Sequence, residues 1–344
     1  MKILVLFTKL TGYWMACMQH DATINNNSYL VFRKTPSPDA PFQLHSTENI
    51  ALKNVDSLDS EALQQQVKTF NPDLIYVAGW TDKRYLQIAK SYKKSGIPVI
   101  TGMDNQWLGN PKQHLASYLS PLFIRPYFSH IWVAGMPQYY YAKKLGFEST
   151  NILTGLYCAD ENLFKNTVQT SHNKQFVFIG RLVEHKGLKV LFKVLNELIQ
   201  EELINFKVHF IGNGPLAEQI PKHNNIKHTS FVRPEALPKL LENAGTFILP
   251  SLYEAWGVVV HEAALAGMPI ITTEETGAAS EFVINNYNGH TYQANDAEAL
   301  KKLLLKYAVF DETTYLKYSK HSKALAHKIN LNDWSAKINS IIRE

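Results

Sequence analysis

Along the first 155 residues, short apolar runs alternate with longer stretches whose apolar positions recur at helical spacing. Residues 3–7, 29–32, 74–78, 97–101, 130–134 and 151–154 read as strands, and 60–70, 82–95 and 137–145 as helices. A loop with Gly12, Tyr13 and Trp14 leaves the first strand, and Pro36-Ser-Pro-Asp-Ala-Pro41 is a turn-rich connection. Strands that are apolar throughout, separated by helices, indicate a parallel sheet covered on both faces. Ligands of such sheets sit beyond the carboxyl ends of the strands. Gly12, Tyr13, Trp80, Asp104, Asn105 and Trp107 fall there and are candidates for the wall of a cleft. The alternative for Trp80 and Trp107 is partly buried packing.

Residues 156–174 are polar with little periodicity and read as a connection between domains. A second alternating series follows, with strands at 176–179, 207–211, near 226, 246–249 and 270–273. Helices are expected at 187–200, 215–220, 234–243 and 296–307, and a Lys-rich helical stretch from about 314 to 343. The division is therefore 1–155, a connection at 156–174, 175–313, and a terminal helix in 314–344 that returns to the first domain.

The composition is that of a globular protein, and 344 residues with 45% hydrophobic content can fill two cores. The net charge of +5 comes from the first part: 15 Lys and Arg against 10 Asp and Glu up to Gly155, then 20 against 20. The basic residues are dispersed pairs such as Lys93-Lys94 and Lys143-Lys144. That spacing argues against nucleic acid and suits an anionic acceptor or peripheral contact with anionic lipid. Cys17 and Cys158 lie far apart without metal-ligand spacing, so neither a disulfide framework nor a metal site is expected. The apolar start is interrupted at Lys9 and lacks a cleavage pattern, and no run approaches the roughly 20 apolar residues of a membrane helix. The expected location is the cytoplasm, including the inner face of its membrane.

The most informative stretch is Glu254-Ala-Trp-Gly-Val-Val-Val-His-Glu262, between the strand at 246–249 and Ala263-Ala-Leu-Ala-Gly267. A helix opening near Gly257 would aim the free N–H groups of Val258 and Val259 above the strand ends, where an anion is favoured. Glu254 and Glu262, eight residues apart, would lie about 80° apart around a helix, which suits two hydroxyl acceptors better than a hydrolytic pair. An ordinary helix with acidic first turns is the plainer alternative. Other strand ends carry Gly180-Arg181, Lys186-Gly187 and Gly212-Asn-Gly214-Pro215. Arg181 and Lys186 can converge on one anionic group, and the glycines at 212 and 214 would let the backbone approach a ligand. Together these point to a diphosphate.

The combination Gly180-Arg181-Leu-x-x-x-Lys186-Gly187, Gly212-x-Gly214-Pro215, and Glu254 and Glu262 followed by Ala-x-Ala-Gly-x-Pro269 resembles the retaining glycosyltransferases of family 4, of GT-B fold. The resemblance is concentrated in residues 176–305. It implies two Rossmann-like domains with parallel sheets facing across a cleft, the first taking the acceptor and the second the nucleotide-sugar donor. Arg181 and Lys186 would hold the diphosphate, Glu262 the ribose, Glu254 the donor sugar, and the backbone near Val232 the base. Gly180, Gly212, Gly214, Trp256, Gly257, Val258 and Val259 would complete the donor site. No cofactor or metal is implied beyond the nucleotide sugar, with UDP or GDP as the expected carrier; the acceptor would be a glycan, a lipid-linked saccharide or a small molecule.

Three departures stand out. Tyr13 and Trp14 follow Gly12 where the family has a second glycine. Met103-Asp-Asn-Gln-Trp107 stands where a histidine is usual, leaving Asp104 or Asn105 as candidates, and Ala255-Trp256 replaces a small residue and Phe. A sugar-nucleotide epimerase and a non-catalytic nucleotide-sugar binding module are the alternatives. A dinucleotide oxidoreductase is disfavoured, because no Gly-x-Gly-x-x-Gly follows the first strand.

Overall fold

The computed structural model describes residues 1–35 and 44–342, so the turn-rich segment at 36–41 and the last two residues lie outside it. The chain forms two compact units, Met1–Cys158 with Ile329–Glu344, and Ala159–Lys328. In chain order the first unit contains β1 (Lys2–Leu6), α1 (Gly12–Asn25), β2 (Ser28–Arg33), β3 (Ile50–Asn54), α2 (Ser60–Phe70), β4 (Leu74–Val77), α3 (Lys83–Lys94), β5 (Val99–Met103), α4 (Pro111–Phe123), β6 (His130–Val133), α5 (Met136–Lys144) and β7 (Ile152–Leu153). The second contains α6 (Glu161–Phe164), β8 (Gln175–Ile179), α7 (Leu188–Gln200), β9 (Lys207–Ile211), β10 (Ile226–Thr229), α8 (Leu237–Leu241), β11 (Thr246–Leu249), α9 (Val258–Leu265), β12 (Ile270–Thr273), α10 (Ala279–Phe282), β13 (Gly289–Tyr292), α11 (Ala297–Ala308) and α12 (Glu312–Ala326). The chain then returns to the first unit as α13 (Leu331–Ser340).

Both sheets are parallel, ordered β3-β2-β1-β4-β5-β6-β7 and β10-β9-β8-β11-β12-β13. Their central strands are buried along their length, as the continuous apolar runs require. In each sheet the strand order reverses at the first strand of the unit, between β1 and β4 and between β8 and β11. Loops leaving such a reversal diverge and leave room for a ligand.

Several expectations need correction. The stretch after β1 is no open loop: Gly12 starts α1, whose Trp14, Met15, Cys17, Met18, Asp21 and Ala22 are buried. Its buried face includes the carboxylate of Asp21 while Ile24 is exposed, so the sequence shows little amphipathic period. Residues 159–174 belong to the second unit: buried Gln169 donates to the carbonyls of Leu241 and Ala266. The helix expected at 215–220 is a single 3-10 turn over Ala217–Gln219, and that at 234–243 is a 3-10 turn followed by the short α8. The stretch from 314 is two helices, with Asn330 capping the second by accepting from Asp333 N–H at 2.8 Å.

α13 packs on α1, with Trp334 meeting Trp14 at 5.3 Å and Trp132 at 4.9 Å between ring centroids. Beside them buried Asp21 accepts hydrogen bonds from Asn25, Asn27, Tyr29, Ser335 and Asn339. Burial, then the Asp21 charge, raises the Tyr29 phenol well above its usual range. In the second unit His261 donates from Nε2 to Ala326 O at 2.9 Å and accepts from Ala159 N–H at Nδ1 at 3.1 Å.

Candidate functional site

The second unit gathers its candidate residues at the carboxyl ends of β8, β9, β10 and β11. After β8 the chain turns through Gly180, exposes Arg181 and buries Leu182, whose N–H donates to Asn213 O at 2.8 Å. The glycines of this region serve the fit between loops. A Cβ on Gly212 would stand 2.0 Å from Gly180 O, and one on Gly214 2.3 Å from Leu182 O. At these two glycines backbone approaches backbone, which brings the β8 and β9 loops together. Gly187 ties in the β11 loop the same way, its absent Cβ lying 1.8 Å from Pro250 O.

Lys186 forms an ion pair with Glu254, the two side chains being 12% and 18% exposed. His185 senses the whole group: burial, then the charges of Lys186 and Arg181, lower its pKa, while Glu254 opposes them. The loop holding Glu254 is pinned to 275–278 through bonds from Glu254 N to Glu275 O, Gly277 N to Glu254 O and Ala278 N to Trp256 O. Gly257, at φ 92°, then opens α9 with no side-chain cap. The first N–H groups of α9 are left to solvent or a ligand, and its dipole favours an anion there.

Val258 and Val259 are partly exposed at this start. Trp256 is not a sugar contact: it is 2% exposed and packs against Phe282. Glu262 stands one turn into α9, its carboxyl raised to about 7 by burial and by Asp160. Val232 sits in the loop after β10, where Phe231 N–H donates to Asn213 Oδ1 at 3.1 Å. The structure thus places Arg181, Lys186, Glu254, Val258, Val259, Glu262 and Val232 on neighbouring strand ends of one sheet.

The first unit has its own cavity of about 350 Å³ at its strand reversal, lined by residues that include Lys9, Tyr13, Tyr76, Trp80, Asp104, Asn105 and Tyr157. Asp104 accepts from Tyr157 Oη at 3.1 Å. Burial, then the Asp104 charge, raises the Tyr157 phenol well above its usual range. Gly12 starts α1 outside the lining, and Trp107 packs elsewhere, 4.8 Å from His114 and 5.3 Å from Tyr141. Sequence reasoning missed Lys9, Tyr76 and Tyr157. Tyr157 lies in the segment read as a connection, and the buried Leu156 and Cys158 flanking it were the available signal.

Among the described residues no group of His, Cys, Asp and Glu could hold a metal ion, and no helix is long and apolar enough to cross a membrane.

Residues 159–329 match the family model for glycosyl transferases group 1. The lipopolysaccharide 1,6-galactosyltransferase of Escherichia coli is 23% identical over 270 residues, covering 72% of this chain and 68% of that protein. The 2-deoxystreptamine N-acetyl-D-glucosaminyltransferase of Niallia circulans is 31% identical over 116 residues, covering 32% of this chain and 30% of that protein. A glycosyltransferase of Methanocaldococcus jannaschii is 28% identical over 123 residues, covering 34% and 31%. The chain thus spans only about a third of the length of the last two relatives. Anabaena HepE, solved in complex with UDP, superposes with a TM-score of 0.78 at 17% identity over 100% of both chains. WaaG, a glycosyltransferase involved in lipopolysaccharide biosynthesis, gives 0.68 at 15% identity over 99% of both.

Proposed function

We propose that this chain, which has the GT-B fold, is a glycosyl transferase of group 1 that moves a sugar from a nucleotide donor to an acceptor. The observation that carries this reading is the Lys186–Glu254 ion pair beside the uncapped start of α9. Lys186 is a cation close to a helix N-terminus and needs a counter-charge. Here Glu254 balances it, and a donor diphosphate reaching Lys186, Arg181 and the α9 N–H groups would release the carboxylate toward the hydroxyls of the donor sugar.

The departing nucleoside diphosphate gains negative charge as its bond to the sugar breaks. Arg181, Lys186 and the helix N-terminus supply the stabilisation that a metal ion provides elsewhere, so the reaction is read as metal-independent. Glu262 accepts from the ribose and the backbone near Val232 meets the base. UDP or GDP as carrier, retention of anomeric configuration and a cytoplasmic setting follow the resemblance to family 4. Trp80, Tyr13, Tyr157 and Asp104 of the first unit offer aromatic faces and polar groups suited to a saccharide, and the cavity they line is assigned to a glycan or lipid-linked acceptor.

The test is a screen of UDP-, GDP-, ADP- and dTDP-sugars for slow hydrolysis by the purified protein, without acceptor or added metal, beside Lys186→Ala. Release of one nucleoside diphosphate that disappears in the variant is the expected result. Nucleotide binding with no turnover of any donor would overturn the transferase reading in favour of a binding module.

A further inference from the structure

Helix α4 buries Ser120 and exposes its large apolar side chains: Leu115 is 58% exposed, Tyr118 83%, Leu122 68% and Phe123 62%. At about 100° per residue, Leu115, Tyr118 and Leu122 fall within roughly 60° of one another and form one stripe. Phe123 borders it, and Leu108, 52% exposed, precedes the helix. A surface helix normally turns such a stripe inward, and a continuous apolar patch in solvent marks an interaction surface.

The surrounding charge identifies the partner. From Asn105 to Phe147 the chain contains no Asp or Glu and four cations, Lys112, Arg125, Lys143 and Lys144. Lys112 lies in the first turn of α4, where the helix dipole disfavours a cation, so its place does nothing for the helix. Arg125 follows the last turn. Lys144 stands 4.6 Å over the ring of Trp107, which in turn touches His114 of α4. Among the described residues none of these three cations has a carboxylate partner. An exposed apolar stripe with unbalanced cations around it is the pattern of a helix that lies in a lipid interface.

We propose that α4 docks this chain on an anionic lipid surface. Leu115, Tyr118, Leu122 and Phe123 enter the headgroup region, and Lys112, Arg125 and Lys144 meet the anionic headgroups. The donor chemistry resides in the other unit, so this proposal stands or falls independently of the hydrolysis screen.

The experiment is co-sedimentation of the purified protein with vesicles of phosphatidylcholine, with and without phosphatidylglycerol, at physiological salt. Two variants accompany it: Tyr118→Ser/Leu122→Ser/Phe123→Ser and Lys112→Glu/Arg125→Glu, all at exposed positions. The expected result is binding that requires phosphatidylglycerol, at least about tenfold weaker in each variant, with circular dichroism unchanged. The proposal is overturned if the unaltered protein stays in the supernatant, or if both variants bind as it does. It is also overturned if sedimentation velocity shows the unaltered protein self-associating through the same residues, which would make a second copy the cover of the stripe.

Discussion

Lys186 and Glu254 pair in a mostly covered setting, so removing either takes away a charge-assisted hydrogen bond. Lys186→Ala should lower kcat/KM for the donor by at least ten- to a hundredfold, the equivalent of about 1.5–3 kcal/mol, measured by steady-state kinetics. Glu262 gives a pH signature. Its carboxyl is raised from 4.5 to about 7, so between those values the folded protein keeps a proton that the unfolded chain has lost. Stability contributed at this residue therefore falls as pH rises through that window, and Glu262→Gln should remove the slope. Nucleotide binding should run the other way, because the ionised form is the better acceptor of two ribose hydroxyls. Affinity measured by calorimetry should weaken by up to about tenfold per unit below pH 7, with proton release on binding. Trp256 belongs to the core, so Trp256→Ala should cost about 3–5 kcal/mol of stability, read as a lower melting temperature.

The glycines are what hold the strand-end loops together. Gly187→Ala would set a Cβ 1.8 Å from Pro250 O, and at φ 69° the new side chain is strained as well, so a loss of several kcal/mol is expected on denaturant unfolding. Gly257→Ala carries the same kind of strain at φ 92° but a milder clash, its Cβ 3.0 Å from Glu254 Cγ, so it should cost less stability than Gly187→Ala while the shifted carboxylate lowers donor turnover. The motifs after β8, β9 and β11 were legible because turn glycines and charged residues stand out between buried strands. The same signal did not show that Gly212 and Gly214 admit another loop, since an absent Cβ reads the same in sequence whether a ligand or a backbone approaches. α1 was invisible because a polar residue, Asp21, lies on its buried face and an apolar one, Ile24, in solvent, which blurs the amphipathic spacing. α4 escaped because its apolar residues face solvent and Pro121 interrupts its interior. Trp107 sits beside a strand end in sequence, yet its ring is taken up by His114, Tyr141 and Lys144.

At the scale of the whole molecule, the last helix completes the first unit. Trp334→Ala should open a void against Trp14 and Trp132 and cost about 3–5 kcal/mol, lowering the melting temperature. The end of the chain is thus a part of the first unit's core. His261 fixes the other boundary. Burial lowers its pKa from 6.5 to about 4, in keeping with an imidazole whose Nδ1 is occupied by Ala159 N–H. The stability this contributes is present above 6.5 and is lost as pH falls toward 4. The second unit begins at Ala159 and ends at Lys328, and Ala159 and Ala326 bond to the same imidazole. Its two ends are therefore separated by little more than the width of one ring, the geometry of an insertion cassette. A unit with adjoining ends can be exchanged between host scaffolds with two splices at one locus, leaving the chain of the host unit otherwise intact.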